Sequence, residues 1–228
     1  METTHAISPS LPAPATARAA VLRHAVVWGV LLVIAFVIDV PVARALQDSG
    51  VADVVNESKF WSPFVKTPGE FWFIVTVAAL LCVFHPWKWK AGAFFALSGV
   101  MSAVNAIVKW GFGRQRPFTL SAELLGNSPQ PGAFVLQPFR GGLPGLFHQS
   151  NLSFVSGHAC LAFASATALS IMLPRWRLLF YTFATLTGLQ RIAENAHYCS
   201  DVVGAAALGV YGVWFIKWAC DRGMDRGR

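Results

Sequence analysis

Charged side chains are scarce in this chain of 228 residues. They make up 13% of the sequence and only 11 of them are acidic, whereas 55% of all residues are hydrophobic and the mean hydropathy is +0.51. About a quarter of the residues are charged in a typical soluble domain. The shortage therefore excludes most water-soluble proteins of this length, and the composition indicates that lipid surrounds much of the fold.

Signatures of several common site types are also missing. The sequence has no Walker-type phosphate loop and no internal repeat. Its four cysteines lack zinc-site spacing, and their positions leave few pairs that could meet as disulfides. The net charge of +7 is dispersed between apolar stretches instead of forming one basic stripe, which argues against nucleic-acid binding. We therefore expect no metal, no cofactor and no nucleic-acid partner.

Long apolar stretches, by contrast, are abundant. Six of them, of about 17 to 23 residues each, lie at residues 24–46, 70–86, 91–110, 153–173, 176–195 and 200–219. Each can cross roughly 30 Å of hydrocarbon as a helix, if tilt or snorkelling ends help the shorter ones. The sequence thus predicts an all-α polytopic membrane protein with six transmembrane helices and a long loop between the third and the fourth.

The predicted domain organisation is simple. Residues 1–23 are expected to form a disordered cytoplasmic tail, residues 24–220 the membrane domain and residues 221–228 a second cytoplasmic tail. A cleavable signal peptide is the alternative for the first span, although its long apolar run favours an uncleaved helix. The long loop after Pro117 is rich in proline and glycine, and we expect it to shape access to a site.

Lysine and arginine residues indicate the orientation. The short turns at residues 85–90 and 174–177 are almost purely basic, and with an even number of spans they lie on the same side as both termini. Basic loops tend to stay in the cytoplasm. We therefore expect both termini to be cytoplasmic, so that the opposite face would be periplasmic if the membrane is a bacterial inner membrane.

Three polar clusters lie at ends of the apolar stretches. They are Lys109 with Arg116 and Pro117, Ser156-Gly157-His158, and Arg191 with His197 and Asp201. When six spans alternate across the bilayer, all three clusters fall on one face. A shared face indicates a single site, whichever side of the membrane that face is on.

The first cluster offers two cations seven residues apart, which would share one side of a helix if the third span continued through Arg116. A planar arginine fork and a mobile lysine ammonium both suit phosphate oxygens. Snorkelling interfacial cations are the alternative interpretation. Arg114, between Lys109 and Arg116, is interpreted as a helper or a surface cation.

The second cluster opens the fourth span. Unpaired N–H groups at a helix N-terminus attract anions, Gly157 lets the backbone approach a ligand, and Ser156 adds a hydroxyl donor. His158 would stand beside a bound phosphate as an acid. A serine cap and an interfacial histidine are the alternatives.

The third cluster pairs an imidazole with a carboxylate. The four-residue step from His197 to Asp201 can bring the two together, which fixes the tautomer of His197 and makes its other ring nitrogen more nucleophilic. A surface ion pair is the alternative, but ionisable residues near membrane depth are candidates for function. Together the three clusters predict a phosphate site with a nucleophile.

In order and spacing, the residues from Lys109 to Asp201 resemble the three signature motifs of the type 2 phosphatidic acid phosphatase superfamily, and the six-span layout resembles its integral-membrane lipid phosphatases. Two positions depart from the family pattern. Val155 stands where proline is usual before Ser-Gly-His, and Gln190 stands where serine is usual before the motif arginine. Neither change removes a reactive group.

The resemblance implies a metal-free reaction in two steps. His197 would attack phosphorus to give a phosphohistidine, His158 would protonate the leaving oxygen and later activate water, and Asp201 would orient His197. The residues expected to bind the phosphate oxygens are Lys109, Arg116, Ser156, Gly157 and Arg191. Such a reaction relies mainly on positioning and on stabilising spread charge, which these groups can provide.

The expected partners are the lipid bilayer and a membrane lipid phosphate. Polyprenyl diphosphate, phosphatidate, phosphatidylglycerol phosphate and a lipid A phosphate all suit such a site, and polyprenyl diphosphate is favoured on family frequency alone. The alternatives are a lipid phosphotransferase that uses the same phosphohistidine, an inactive membrane binding or scaffold protein, and an anion transporter. The transporter is disfavoured because the spans carry few polar residues at mid-membrane depth.

Overall fold

The computed structural model describes residues 14–119, 136–139, 141–147 and 150–226. Within these ranges the chain is helical, and one isolated antiparallel bridge pairs Gln115 with Leu152. The predicted tail before residue 14 and residues 120–135 of the predicted long loop lie outside the described residues. The all-α class is confirmed for the described part of the chain.

The helices follow the hydrophobic pattern of the sequence. In chain order the α-helices are α1 (Pro14–Ser49), α2 (Val51–Glu57), α3 (Trp61–Lys66), α4 (Phe71–Phe84), α5 (Trp89–Ser98), α6 (Val100–Phe112), α7 (Gly142–Gly145), α8 (Gly157–Met172), α9 (Arg177–Ala193) and α10 (Cys199–Arg226). Three short 3-10 turns lie at Thr67–Gly69, Pro117–Thr119 and Pro174–Trp176. Each of the six predicted apolar stretches is therefore helical over most of its length.

The number of membrane-crossing helices is smaller than predicted when length and composition are the criteria. Three helices in the described ranges meet both, at Val21–Ser49, Trp89–Phe112 and Cys199–Gly223. A bent pair, Trp61–Gly69 with Phe71–Phe84, adds a fourth if its 64° break lies within one span. Helix α8 is apolar but has 16 residues, about 24 Å at 1.5 Å per residue, which is short of the hydrocarbon thickness. Several crossing helices are supported, but six are not confirmed.

Helix α1 shows how apolar the outer surface is. Only 11% of its most hydrophobic 18-residue window is buried inside the protein. Large aliphatic side chains such as Leu22, Val33 and Val37 are each about two-thirds exposed. An apolar surface of this extent is unfavourable in water and favourable in lipid. These helices therefore belong to an integral membrane protein.

Helix α8 forms the centre of the core. It packs against α9 and α10 and also contacts α5 and α6. Small residues make this close packing possible: Ala159, Ala164 and Ala168 are completely buried, and a Cβ added to Gly209 of α10 would lie 2.5 Å from the carbonyl oxygen of Cys160. The start of α8, which carries the second polar cluster, is held at a fixed place as a result.

The segment between the first two apolar stretches, for which no helix was predicted, folds into α2 and α3. The turn that follows α3 contacts the start of α8 directly. A Cβ added to Gly69 would lie 2.4 Å from the carbonyl oxygen of His158, so this contact requires a glycine. Residues from this unpredicted region therefore reach the place where the polar clusters lie.

Candidate active site

Helix ends meet at one end of the bundle. The backbone N–H of Ser156, just before α8, donates to the carbonyl oxygen of Asp201 in the first turn of α10 at 3.1 Å. The N–H of His197 donates to the carbonyl oxygen of Arg191, in the last turn of α9, at 3.2 Å. The structure thus brings the second and third polar clusters together.

The first cluster joins them, although not as one continuous helix. Helix α6 ends at Phe112, and Gly113 takes a left-handed conformation with φ of 62°. A Cβ added to Gly113 would lie 1.9 Å from the carbonyl oxygen of Gln137, so only glycine fits. The condition under which Lys109 and Arg116 would share a helical face, a third span that continues through Arg116, is therefore not met. Lys109 itself is buried, and its Nζ lies 3.9 Å from a Cβ built on Gly157.

Arg116 reaches the site from the extended segment after that turn. Its Nε donates to the carbonyl oxygen of Leu152 at 3.2 Å, next to the bridge between Gln115 and Leu152. Burial lowers the pKa of the Arg116 guanidinium, and the positive charge of Arg191 lowers it further. Arginine nevertheless stays protonated in proteins. Two neighbouring cations therefore repel each other here, and a bound anion would relieve that repulsion.

His197 is almost completely buried, at 2% exposure. Its Nδ1 lies 3.5 Å from Oδ2 of Asp201 and 3.5 Å from the hydroxyl of Ser153, which itself donates to Asp201. Both separations are long for a hydrogen bond. Burial lowers the pKa of His197 to about 3, even though Asp201 acts in the opposite direction. The imidazole is therefore neutral near pH 7, the form that can act as a nucleophile.

Asp201 is held by groups that sequence reasoning did not find. Its Oδ2 accepts a bond from the N–H of Tyr198 at 2.8 Å, and its Oδ1 accepts one from Arg114 at 2.9 Å. The same guanidinium bonds Asp39 of α1 at 2.9 Å and lies 3.8 Å from the centre of the Tyr198 ring. Because Arg114 has no exposed surface, its interpretation as a surface cation is wrong. The available signal was Asp39, an acid inside an apolar span that needs a partner.

His158 has a carboxylate partner of its own. Its Nε2 is 3.0 Å from Oε1 of Glu70, which precedes α4. The two side chains are 33% and 50% exposed, so this pair is far more accessible than His197 with Asp201. Glu70 was not predicted because it lies 88 residues away in sequence and belongs to no motif.

Arg191 is bound by a second unpredicted acid, Glu194. The carboxylate of Glu194 also contacts Lys66 and accepts hydrogen bonds from Ser62, at 2.9 Å, and from Gln190. Burial raises the pKa of Glu194, but the hydrogen bond from Lys66 and the charge of Arg191 outweigh it and hold the pKa below its usual range. The side chain of Gln190 thus has a partner at the position where the family pattern has serine.

Two buried donors at the site have no hydrogen-bond partner in the part of the chain that the structure describes. They are the hydroxyl of Ser156 and Nε of Arg191. Ser156 immediately precedes α8, whose first N–H groups are also unpaired within the helix. Buried polar groups are normally satisfied, and unpaired ones at a helix N-terminus are suited to an anion.

A polar cavity of about 620 Å³ opens beside these groups. Its walls carry the cations Lys66, Arg116 and Arg191 together with Glu194. Of the eight predicted site residues, Arg116 and Arg191 line the cavity, and the other six do not. The predicted residues are therefore near one another, but one wall of this site comes from elements that the motifs do not include.

The geometry defines a class of protein. Several groups lie together at the end of a membrane bundle. They are cations from two helices and a connecting segment, a helix N-terminus, a neutral buried imidazole and a carboxylate. This is the chemistry of a membrane protein that handles phosphate groups.

Comparison with known families agrees with this class. The family model of the PAP2 superfamily matches residues 87–224, which is more than half of the chain. The protein therefore belongs to the PAP2 superfamily. All three polar clusters lie inside the matched region.

Individual relatives are more distant. The chain is 32% identical over 125 residues to the lipid A 1-phosphatases of Rhizobium johnstonii and Rhizobium etli, and this match covers 54% of the chain. The match spans 44% and 47% of the length of those two relatives, so the chain corresponds to less than half of each. A crystal structure of a PAP2-type phosphatidylglycerolphosphate phosphatase from Bacillus subtilis superposes with a TM-score of 0.49 at 18% identity, over 84% of this chain and 96% of that one.

Proposed function

We propose that this protein is a membrane lipid phosphatase that hydrolyses a lipid-linked phosphate through a phosphohistidine at His197, without a metal ion. One observation carries the proposal: a neutral, buried imidazole lies against a carboxylate, next to three cations and two donors that have no partner among the described residues. Membership of the PAP2 superfamily supports phosphatase chemistry. The roles of the individual residues are those that the resemblance implies, and the contacts of the site support them.

The phosphate is bound by charge and by a helix N-terminus. Lys109, Arg116 and Arg191 offer the positive charge, and Ser156 and the N–H of Gly157 offer donors at the start of α8. Because the side chains themselves carry the positive charge, the stabilisation that a divalent ion gives in other phosphoryl-transfer enzymes is already present.

His197 is the nucleophile. Its Nδ1 faces Asp201 and Ser153, which leaves Nε2 to attack phosphorus. The P–N bond forms as the bond from phosphorus to the lipid oxygen breaks, and the resulting positive imidazole is stabilised by the Asp201 carboxylate. Asp201 is itself fixed by Arg114, so the orientation of His197 depends on a buried chain of ion pairs.

His158 is the acid and, in the second step, the base. It gives its proton to the leaving lipid oxygen, and it then takes a proton from the water that breaks the P–N bond and releases phosphate. Partial exposure suits this role because the proton must exchange with solvent in each cycle. Glu70 holds the imidazole of His158 in place through Nε2.

The substrate is a phosphate on a membrane lipid, and the relatives change which lipid is favoured. Polyprenyl diphosphate was favoured on family frequency, but the two Rhizobium relatives are named as lipid A 1-phosphatases. We propose a lipid A-type phosphate as the first substrate to examine, with polyprenyl diphosphate, phosphatidate and phosphatidylglycerol phosphate next. The site is proposed to face the periplasm from a bacterial inner membrane, with both termini in the cytoplasm.

The test uses purified protein in detergent with each of the four lipids, in the presence of EDTA. We expect free phosphate to be released despite chelation. The variant His197→Ala should lose at least about a thousandfold in kcat while still eluting as folded protein. The matched control is His24→Ala, which changes an exposed histidine in α1 and should retain native activity.

Two results would contradict this proposal. Strict dependence on a divalent metal would remove the metal-free mechanism, and normal turnover by His197→Ala would remove the nucleophile. Phosphate that appears on an added acceptor lipid, with none free in solution, would identify a phosphotransferase instead.

A further inference from the structure

The cavity beside the phosphate-binding residues is much larger than a phosphate group. Its volume of about 620 Å³ lies within the range of roughly 300 to 1,000 Å³ that is usual for pockets that hold whole small molecules. Arg116 and Arg191 are among the residues that line it. A phosphate bound by these two arginines would leave room in the cavity for more of the same ligand.

Three further polar residues line the cavity. They are Asp53 and Asn56 of α2, three residues apart and therefore on the same helical face, and Asn195 from the turn after α9. Carboxylate and amide groups can accept bonds from hydroxyls, and amides can also donate to them. A wall of this kind suits a ligand with several hydroxyl groups.

Asn195 makes the argument more specific. It is 3% exposed, and its Oδ1 is a buried acceptor without a hydrogen-bond partner in the described part of the chain. A phosphate dianion has no hydrogen to give to this oxygen, whereas a hydroxyl has. The unpartnered Nε of Arg191 on the same wall calls for an acceptor such as a phosphate oxygen. One ligand that carries both groups satisfies both atoms.

The two acids on the cavity wall differ in their partners. The carboxylate of Glu194 is paired with Lys66 and Arg191, whereas Asp53 has no ion pair in the described part of the chain. A second phosphate placed next to Asp53 would be repelled by its charge. An uncharged ring would not be, and the half-exposed aromatic ring of Phe118, with the Arg116 guanidinium 5.8 Å from its centre, offers a face on which a ring can pack.

We infer that this cavity is a binding subsite for a sugar, and that Asp53, Asn56 and Asn195 recognise the hydroxyl groups of a lipid whose phosphate is attached directly to that sugar. The inference rests on the proposed function, because it takes the phosphate to be bound at Arg116 and Arg191. To the proposed function it adds the residues that would recognise the lipid headgroup.

The test compares two lipids that differ in the headgroup. Release of phosphate is measured from lipid A that carries a 1-phosphate and from phosphatidate, which has no sugar. The double variant Asp53→Ala/Asn56→Ala should raise KM about tenfold for the sugar lipid and leave the KM for phosphatidate within about twofold. Glu57→Ala is the matched control, since Glu57 is an exposed α2 residue outside the cavity wall and should change neither value.

A soluble probe gives a second measurement. Glucose 1-phosphate should inhibit the native enzyme more strongly than inorganic phosphate, and the double variant should lose this difference. Equal inhibition by the two compounds, or an equal rise in KM for both lipids, would overturn the sugar subsite.

The same experiment separates the two proposals. If the native protein releases phosphate from phosphatidate but not from the sugar lipid, the subsite is wrong and the phosphatase proposal stands. If it releases phosphate from neither these lipids nor the other two in the panel, the proposed function fails and the subsite fails with it.

Discussion

Two regions of the site contain the same pair of groups, a histidine and a carboxylate, in opposite surroundings. The inner cluster consists of Asp39, Arg114, His197 and Asp201. The outer cluster consists of Lys66, Glu70, His158, Arg191 and Glu194. All members of the inner cluster are buried, whereas Lys66, Glu70 and His158 are partly or half exposed.

This difference in burial suits the two histidines to different catalytic roles. In the inner cluster, the guanidinium of Arg114 lies between two buried carboxylates, so the position of Asp201 is fixed before any substrate arrives. In the outer cluster, solvent can exchange protons with His158. A nucleophile benefits from a fixed position, and an acid that is used in every cycle benefits from access to water.

The largest effect is expected from breaking the inner cluster with Arg114→Met. This change leaves Asp39 and Asp201 buried without their cation, which should cost about 3–5 kcal/mol. The midpoint of thermal unfolding in detergent, with the fraction of monodisperse protein, measures the effect. Adding Asp39→Asn to the variant should recover part of the loss because it removes one of the two unpaired charges.

The control for this prediction is Arg177→Met, which changes an exposed arginine at the start of α9, away from the site. Its unfolding midpoint should stay at the native value. If Arg114→Met and Arg177→Met were equally stable, the buried ion pairs would not contribute to stability as described.

The next largest effect is expected from removing His158, the histidine of the outer cluster. His158→Ala should reduce kcat about 10²- to 10⁴-fold for a lipid phosphate, since the leaving oxygen then has no proton donor. A substrate with a good leaving group, such as p-nitrophenyl phosphate, should lose much less in the first step. The burst of nitrophenol measures this step separately from release of phosphate. An equal loss for good and poor leaving groups would contradict the acid role.

The smallest effect is expected for the partner of that histidine. Glu70→Gln keeps the shape of the side chain and removes its negative charge. Burial and the charge of Arg191 oppose protonation of His158, and the Glu70 carboxylate acts against them. Without that carboxylate the basic limb of the kcat–pH profile should move to lower pH.

A role for Glu70 in folding alone would not produce this shift. Glu70→Asp should restore most of the native profile, and Glu57→Gln, on exposed α2, should leave it unchanged. A profile that falls in height without moving along the pH axis would show that Glu70 does not act through His158.

Local sequence patterns predicted much of the fold. Hydrophobic length placed helices at all six apolar stretches, because each such stretch must satisfy its own backbone hydrogen bonds in lipid. The number of crossings was less predictable. Helix α8 has 16 residues, and it is central because α9 and α10 surround it, which composition alone does not reveal.

Within the site, too, some contacts could be predicted from local sequence and others could not. The step of four residues between His197 and Asp201 is visible in the sequence, since the spacing alone can bring the side chains together. The partners Glu70 and Lys66 are far from their motifs in sequence and carry no pattern of their own, and Asp39 is marked only as an acid inside an apolar span. Ser153 lies close to a motif, yet its contact with Asp201 depends on how α8 and α10 meet.

The sequence by itself determined that this is an all-α membrane protein of the PAP2 superfamily, because apolar length and motif spacing are local properties of the chain. Tertiary structure alone decided which carboxylate accompanies each histidine, that Arg114 is buried between two acids, and that α2 and α3 supply one wall of the cavity. These features arise where helices from distant parts of the chain come within a few ångströms of one another, and the energetics of such contacts depend on burial, which no single segment specifies.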